Sequence, residues 1–438
     1  MMFRYYFLLG IRSLRRNPAL TALMILTLAV GVAASISTLT ILHVMSGDPI
    51  PHKSNRLFMP WMDNGPLKGY TPGEESRDTQ MSYRDAMNHL PAKIGERRTA
   101  LYGILMAIEP ARKDLPAVES EGVAATKDFF TMFDTPFLHG QGWTENDDTK
   151  AADVVVLGNK LAEKLYGKTN PVGQYLTMIG HQFQIVGVLD TWEPSPRFYR
   201  FSGRNATFGV QEDFFIPFSS AIRHEITHAG GMSCTGENAP GWQGRLDSEC
   251  TWLHFWFELK SEGQRQELQS YLDNYAVEQR KLGRYMREAK NKLFNVMEWM
   301  EEAKVVDNDN KLSAWLAFGF LLLCLVNTVG LLLAKFSVRA SEVGVRRALG
   351  ASRKEIFNQF LIESSVIGLA GGVTGLLLAF GALALIAMQS KQLTVVAHMD
   401  WQMLSITFVM SVTAAILAGL FPTWRACQVT PAIQLKSQ

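Results

Sequence analysis

His224-Glu225-Ile226-Thr227-His228 reads literally as H-E-x-x-H. On a helix that spacing puts two imidazoles on one face, where they hold a zinc ion while the glutamate serves as general base for hydrolysis. His228-Ala229-Gly230-Gly231 continues the pattern as H-x-x-G, but the place of a third histidine is taken by Cys234. The helix would also be short, bounded by Pro217 and by Gly230-Gly231. A membrane-anchored zinc peptidase built on His224, Glu225 and His228 is therefore the rival reading. The favoured expectation is solvated histidines in a loop, with no resident metal or cofactor. Other catalytic patterns are weaker still. No G-x-S-x-G elbow occurs. Gly167-Lys168-Thr169 resembles the end of a phosphate-binding G-x-x-x-x-G-K-[ST] loop, but Ala162 stands at its first glycine.

A second pattern lies at 342–352, EVGVRRALGAS. Glu342, Arg346, Arg347 and Arg353 mix charges on a short amphipathic helix. Val343, Val345, Ala348 and Leu349 supply an apolar face for docking, and Gly350 a C-terminal stop. Such a helix between two rigid bodies transmits motion.

The elements around it are membrane spans. Ala19–Met45, Leu312–Ala334, Phe357–Met388 and Met403–Pro422 each approach or exceed the length of about 20 apolar residues that crosses a bilayer. Glu363 is the lone charge among them, and a carboxylate there faces protein or headgroups, not lipid tails. Arg4, Arg12, Arg15 and Arg16 precede the first span. Lys335, Arg339, Arg346, Arg347, Arg353 and Lys354 fill the loop after the second, while Lys391 alone serves the loop after the third. Lysine and arginine collect on the cytoplasmic side, so both termini and the 335–356 loop are expected there and 46–311 outside. The first span is too long for a cleaved signal, whose apolar core runs about 7–15 residues. Before it, residues 1–18 alternate apolar and basic side chains as an interfacial helix does.

The expected fold is thus an α+β membrane protein: four transmembrane helices with a large two-lobed α+β extracytoplasmic domain between the first and second. Within 46–311, Val154–Leu157 reads as a buried strand, Asn159–Tyr166 as a helix, and Tyr175–Ile179 with Phe183–Leu189 as paired strands. Residues 190–250 change character and are expected as a second lobe. Trp192, Phe198, Tyr199 and Phe201 within it are expected as a surface for an amphipathic cargo or a partner. Residues 285–311 are expected as a helical stalk into the second span, 389–402 as a short outer loop and 423–438 as a cytoplasmic tail. Cys234 and Cys250, both outside, are expected to form a disulfide closing a loop of about 15 residues. With 43 Lys and Arg against 41 Asp and Glu, the net charge of +2 gives no attraction to nucleic acid.

EVGVRRALGAS, followed by a span bearing Gly371, Gly372 and Gly375, resembles the FtsX-like permease domain of ABC transporters of the MacB family, also called type VII. VVVLGNKLAEKLYGKTNPVGQYLTMIGHQFQIVGVLD at 154–190 and ATKDFFTMFDTPFLHGQGW at 125–143 look like that family's periplasmic core. FPTWRACQVTPAIQLK at 421–436 resembles its exit from the fourth span, with the usual Arg-Arg pair reduced to Arg425. The resemblance implies an inner-membrane permease subunit without an ATPase of its own, working by mechanotransmission. ATP and magnesium would sit on a separate cytoplasmic ATPase, engaged through Glu342, Val343, Gly344, Arg346, Arg347, Leu349 and Gly350. It implies a second permease, identical or paralogous, for which Gly371-x-x-x-Gly375 offers a close-approach face. It also implies a periplasmic adaptor and an outer-membrane duct as partners, and export of a peptide, antibiotic or other small molecule. Extraction of lipid-anchored proteins is the alternative within the family, and activation of a cell-wall hydrolase a more distant third.

Overall fold

The computed structural model describes residues 17–68, 70–73, 79–109, 116–201, 211–234, 239–306, 308–389 and part of 405–424. Contacts separate residues 47–305 from a second unit made by the two flanking segments. The expected helix at 1–18 and loop at 389–402 lie almost wholly outside the described residues, and the expected fourth span and tail largely so.

Helix α1 (Pro18–Ser46) opens the described chain. The unit of 47–305 is built on one eleven-stranded sheet. Its strands are β1 (Leu57–Trp61), β2 (Met81–Ser82), β3 (Arg97–Glu109), β4 (Val118–Ala125), β5 (Phe137–Gly140), β6 (Val154–Leu157), β7 (Tyr175–Met178), β8 (His181–Leu189), β9 (Phe214–Pro217), β10 (Thr251–Glu258) and β11 (Lys292–Asn295). The order is β11-β1-β10-β3-β4-β9-β6-β8-β5, with β2 on β10 and β7 joining β3 to β8. The helices used below are α2 (Tyr83–His89), α3 (Asn159–Tyr166), α4 (Phe218–Arg223), α5 (Gly241–Leu246), α6 (Arg265–Lys281) and α7 (Val296–Glu302).

Both faces of the sheet are covered, so its central strands carry unbroken apolar runs where a half-exposed strand would alternate. All eight residues of β10, TWLHFWFE, are buried. Along it Phe255 and Phe257 join one core while Trp256 joins the other, and β1 and β9 alternate in the same way. The β7–β8 pair turns through Ile179 at φ +48° and Gly180 at φ +76°. Two successive positive φ values make the turn whose twist matches paired strands, so the first strand ends at Met178, one residue short of the expected Ile179, while the second starts at His181, two residues before the expected Phe183.

Three expectations about this unit are corrected. Residues 190–250 are not a separate lobe: β9 lies inside the sheet, parallel to β4 and antiparallel to β6. Its aromatics are not a docking surface. Trp192, Phe198 and Tyr199 are buried, Trp256 and Trp299 donate indole hydrogen bonds to the Tyr199 and Phe198 carbonyls at 3.0 and 3.1 Å, and Phe201 stacks on Trp299. Residues 285–311 are not one helical stalk. β11 pairs with β1, and Asn295 then caps α7 reciprocally with Glu298, so that helix starts afresh and ends at Glu302.

The second unit holds α1, α8 (Asn308–Val338), α9 (Ala340–Ala348) and α10 (Arg353–Gln389). Among the described residues, three helices are long and apolar enough to cross a membrane: Pro18–Ser46, Lys311–Val338 and Arg353–Met388. The described residues between 405 and 424 are helical as well. Small residues set the contacts. A Cβ added at Gly31 would lie 2.9 Å from Cys324 of α8, and one at Gly375 would lie 2.8 Å from the Ala29 carbonyl of α1. At Gly371 it would lie 2.6 Å from Leu28. Gly371 and Gly375, expected to face a second permease, are here used within the chain to seat α1 against α10. A G-x-x-x-G spacing records that two helices approach closely and leaves the identity of the neighbour open.

Candidate functional site

Helix α9 is a nine-residue element with defined ends. At its C-terminus Gly350, at φ +99°, donates to the Arg347 carbonyl at 3.2 Å, and Ala351 donates to the Arg346 carbonyl at 3.0 Å. This is the glycine-stopped pattern in which a left-handed residue lets the chain fold back over the last turn. Two residues later Ser352 accepts from the Glu355 amide, and the Glu355 carboxylate accepts from the Ser352 amide at 2.9 Å, starting α10 with reciprocal caps. The end of the helix is thus fixed by backbone hydrogen bonds and its junction with α10 by side-chain caps.

The apolar positions of α9 divide. Val343 is buried in a cluster with Phe336, Ile356 and Phe360, so it anchors the helix and is not presented to a partner. Val345, Ala348 and Leu349 are exposed, Leu349 at 83%. Of the charged positions, Arg346 pairs with Glu342 one turn back at 2.6 Å and donates to Gln359 of α10 at 3.0 Å. Gly344 is half-buried and Arg347 likewise.

Behind α9 stands a charged cluster. Glu363 of α10 accepts two hydrogen bonds from Arg339, at 2.9 and 3.2 Å, and pairs with Lys335 of α8 at 2.8 Å. The Lys335 and Glu363 side chains are 0% and 2% exposed. Arg339 is also the N-terminal cap position of α9. The lone charge of the third span thus meets its partners at the end of the second, an arrangement that the single acid in one segment and two bases four residues apart in another could have signalled.

The histidine motif does not form the helix it would need. Helix α4 ends at Arg223, and Glu225 sits at φ +54°, so the two imidazoles do not share a helical face. His224 bonds Asp153 at 2.8 Å and packs on His181, ring centroids 4.2 Å apart. Burial opposes charge on Asp153, but hydrogen bonds from His224, Ser220 and Arg223 outweigh it and hold the carboxyl below its ordinary range. His228 instead packs on Trp252, and burial, with Arg245 nearby, lowers its pKa. Cys234 is bonded to Cys250, with Cα atoms 4.1 Å apart. Among the described residues, no three His, Cys, Asp or Glu are grouped to hold a metal ion.

Known proteins match the chain in two parts, the first of which includes most of α1. Residues 21–275 match the model of the MacB-like periplasmic core domain, and residues 314–431 that of the FtsX-like permease C-terminal region. The pyoverdine export ATP-binding/permease protein PvdT of Pseudomonas putida is 26% identical over 72% of this chain and 43% of its own length. The uncharacterised ABC transporter permease YknZ of Bacillus subtilis is 24% identical over 67% of this chain and 64% of its own. The macrolide export ATP-binding/permease protein MacB of Syntrophobacter fumaroxidans is 22% identical over 98% of this chain and 63% of its own. The chain therefore spans between two-fifths and two-thirds of the length of these curated relatives. Among solved structures, the periplasmic region of MacB from Actinobacillus actinomycetemcomitans covers 56% of this chain and 92% of its own, at 12% identity and a TM-score of 0.35. With a periplasmic core domain in its first part and an FtsX-like permease region in its second, the chain belongs to the MacB-like family of ABC transporter permeases.

Proposed function

We propose that this chain is the membrane subunit that couples ATP hydrolysis on a separate cytoplasmic ATPase to movement of its 47–305 unit outside the cytoplasm. The observation that carries this is α9: a short helix stopped by Gly350, anchored inward by Val343, with Val345 and Leu349 exposed outward. An exposed apolar pair on an anchored helix is a docking surface, and the Glu342–Arg346 pair beside it orients charge toward the same partner. ATP and magnesium belong to the ATPase. The orientation follows the lysine and arginine distribution, with α9 and both termini in the cytoplasm. Two permeases, identical or paralogous, complete the assembly with a periplasmic adaptor and an outer-membrane duct. The cargo is a peptide, antibiotic or other small molecule, a class to which the named exports of PvdT and MacB both belong.

The test is co-purification of the detergent-solubilised full chain with candidate ATPases from the same cell. Leu349→Asp with Val345→Asp should lower ATPase binding by roughly a hundredfold, the loss of one interface hot spot. Unchanged binding to the double variant would sink the docking assignment.

A further inference from the structure

We propose that Glu363 is a positioning residue of the coupling machinery, a clamp that makes α9 move as one body with the second and third spans. This rests on the proposed role of α9. The clamp has three layers. At its centre the Glu363 carboxylate holds Arg339 by two hydrogen bonds and Lys335 by an ion pair. Toward the spans, Phe336 and Phe360 lie with ring centroids 4.3 Å apart. Toward α9, Val343 fills the same cluster and Arg346 donates to Gln359.

The placement of each partner gives the clamp its mechanical meaning. Lys335 lies in the last turn of α8, Arg339 at the cap of α9, and Glu363 about three turns into α10. One carboxylate of α10 therefore touches the end of α8 and the cap of α9, linking three consecutive helices at their junction. Displacement of α9 at its exposed face pulls Arg339, whose Nη1 donates to both carboxylate oxygens, and the charge-assisted bonds pass that pull to α10. The buried Lys335 fixes α8 to the same acid. Without the carboxylate, the hinge between Val338 and Ala340 would be free to absorb the motion. A buried ion pair is a poor source of stability compared with apolar packing of equal volume, so its presence at this junction is better explained by geometry than by folding energy.

The experiment compares three variants of the full chain assembled with its ATPase. Each is assayed for ATPase binding, for ATP turnover, and for an ATP-dependent change at a spin label on Leu138→Cys, an exposed site in the 47–305 unit. Glu363→Gln should bind the ATPase like wild type while the label's response falls by roughly tenfold, within the range by which residues along a mechanical path alter coupling. It also strands Lys335, so two double variants separate folding from coupling. Lys335→Met with Glu363→Leu replaces the buried pair by apolar volume and should recover the thermal stability that Glu363→Gln loses at Lys335, but not the response. Lys335→Glu with Glu363→Lys puts the acid at 335, one turn before Arg339 and opposite the new lysine, and should restore both. A full response in the apolar double variant, or none in the charge-swapped one despite wild-type stability, would overturn the clamp. Failure of the wild type to bind an ATPase or move the label would instead defeat the coupling role of α9.

Discussion

The two units of this protein place their largest side chains differently. In the 47–305 unit the largest groups are innermost: Trp252, Trp256, Trp299, Tyr102 and Phe58 are essentially inaccessible. In the helical unit many large groups point outward, with Trp315, Leu316, Leu323 and Leu377 all more than 60% exposed, while at the contacts of α1 with α8 and α10 Gly31, Gly371 and Gly375 lie among the buried Leu28, Val32 and Ile36. The difference follows from solvent. Water drives aromatic surface into the sheet's two cores. Lipid tails are as apolar as leucine and give helices no such drive, so these associate through close approach at small residues.

The contrast is broken most directly by one substitution made twice. Trp256→Ala removes a side chain that fills one sheet core and donates to the Tyr199 carbonyl. It should destabilise the chain by about 3–5 kcal/mol. Trp315→Ala, at 72% exposure, should cost less than about 1 kcal/mol. Thermal unfolding of the full chain in detergent, followed by tryptophan fluorescence, gives both numbers. Equal losses would refute the division.

Protons sharpen the comparison next, because the sheet unit buries titratable groups far from water. His89 is fully buried on α2, between Phe255, Phe257, Tyr271 and Tyr275. Burial lowers its pKa to about 4 against an upward pull from Asp85, and Arg284 lowers it further. Since the folded value lies below the unfolded value of 6.5, the unfolded chain takes up this proton first as pH falls. The stability held above pH 6.5 is therefore lost between about pH 6.5 and 4, by roughly 3 kcal/mol. Asp148, raised to about 6 chiefly by burial, has the opposite sign, so the informative quantity is the difference between wild type and His89→Leu. That difference should shrink by the stated amount over the acid range; a flat difference would mean that the imidazole is hydrated.

What was legible in the sequence divides by the range of the interactions responsible. Val154–Leu157 and Asn159–Tyr166 form the expected strand and helix with the expected ends, because each is set by its own apolar spacing. The Gly350 stop was readable from the glycine itself, and the Cys234–Cys250 bond from the placement of both thiols outside the cytoplasm. β9 was not, because its partners β4 and β6 come from residues far away in the chain, and the aromatics before it looked like surface until that pairing buried them. His224-Glu225-Ile226-Thr227-His228 misled because a motif's letters say nothing of φ at Glu225. Glu363 was visible as an anomaly and Lys335 and Arg339 as bases spaced to meet it, but the pairing itself emerges only where the end of α8 meets α10.

The smallest effect tests the membrane half of the comparison and needs a matched control. Gly375→Ala adds a Cβ at 2.8 Å from the Ala29 carbonyl and equally close to Val32. A backbone carbonyl cannot rotate aside as a flexible side chain does, so α1 must shift from α10, at about 1–3 kcal/mol. Gly381→Ala, on the same helix with nothing within 4 Å of the added carbon, meets no such obstacle. It should be neutral or stabilising by up to about 1 kcal/mol, the helix propensity gained over glycine. Thermal aggregation of the detergent-solubilised chain reads both. If the two glycines respond alike, α1 is not seated at Gly375, and small-residue contact does not hold the helical unit together.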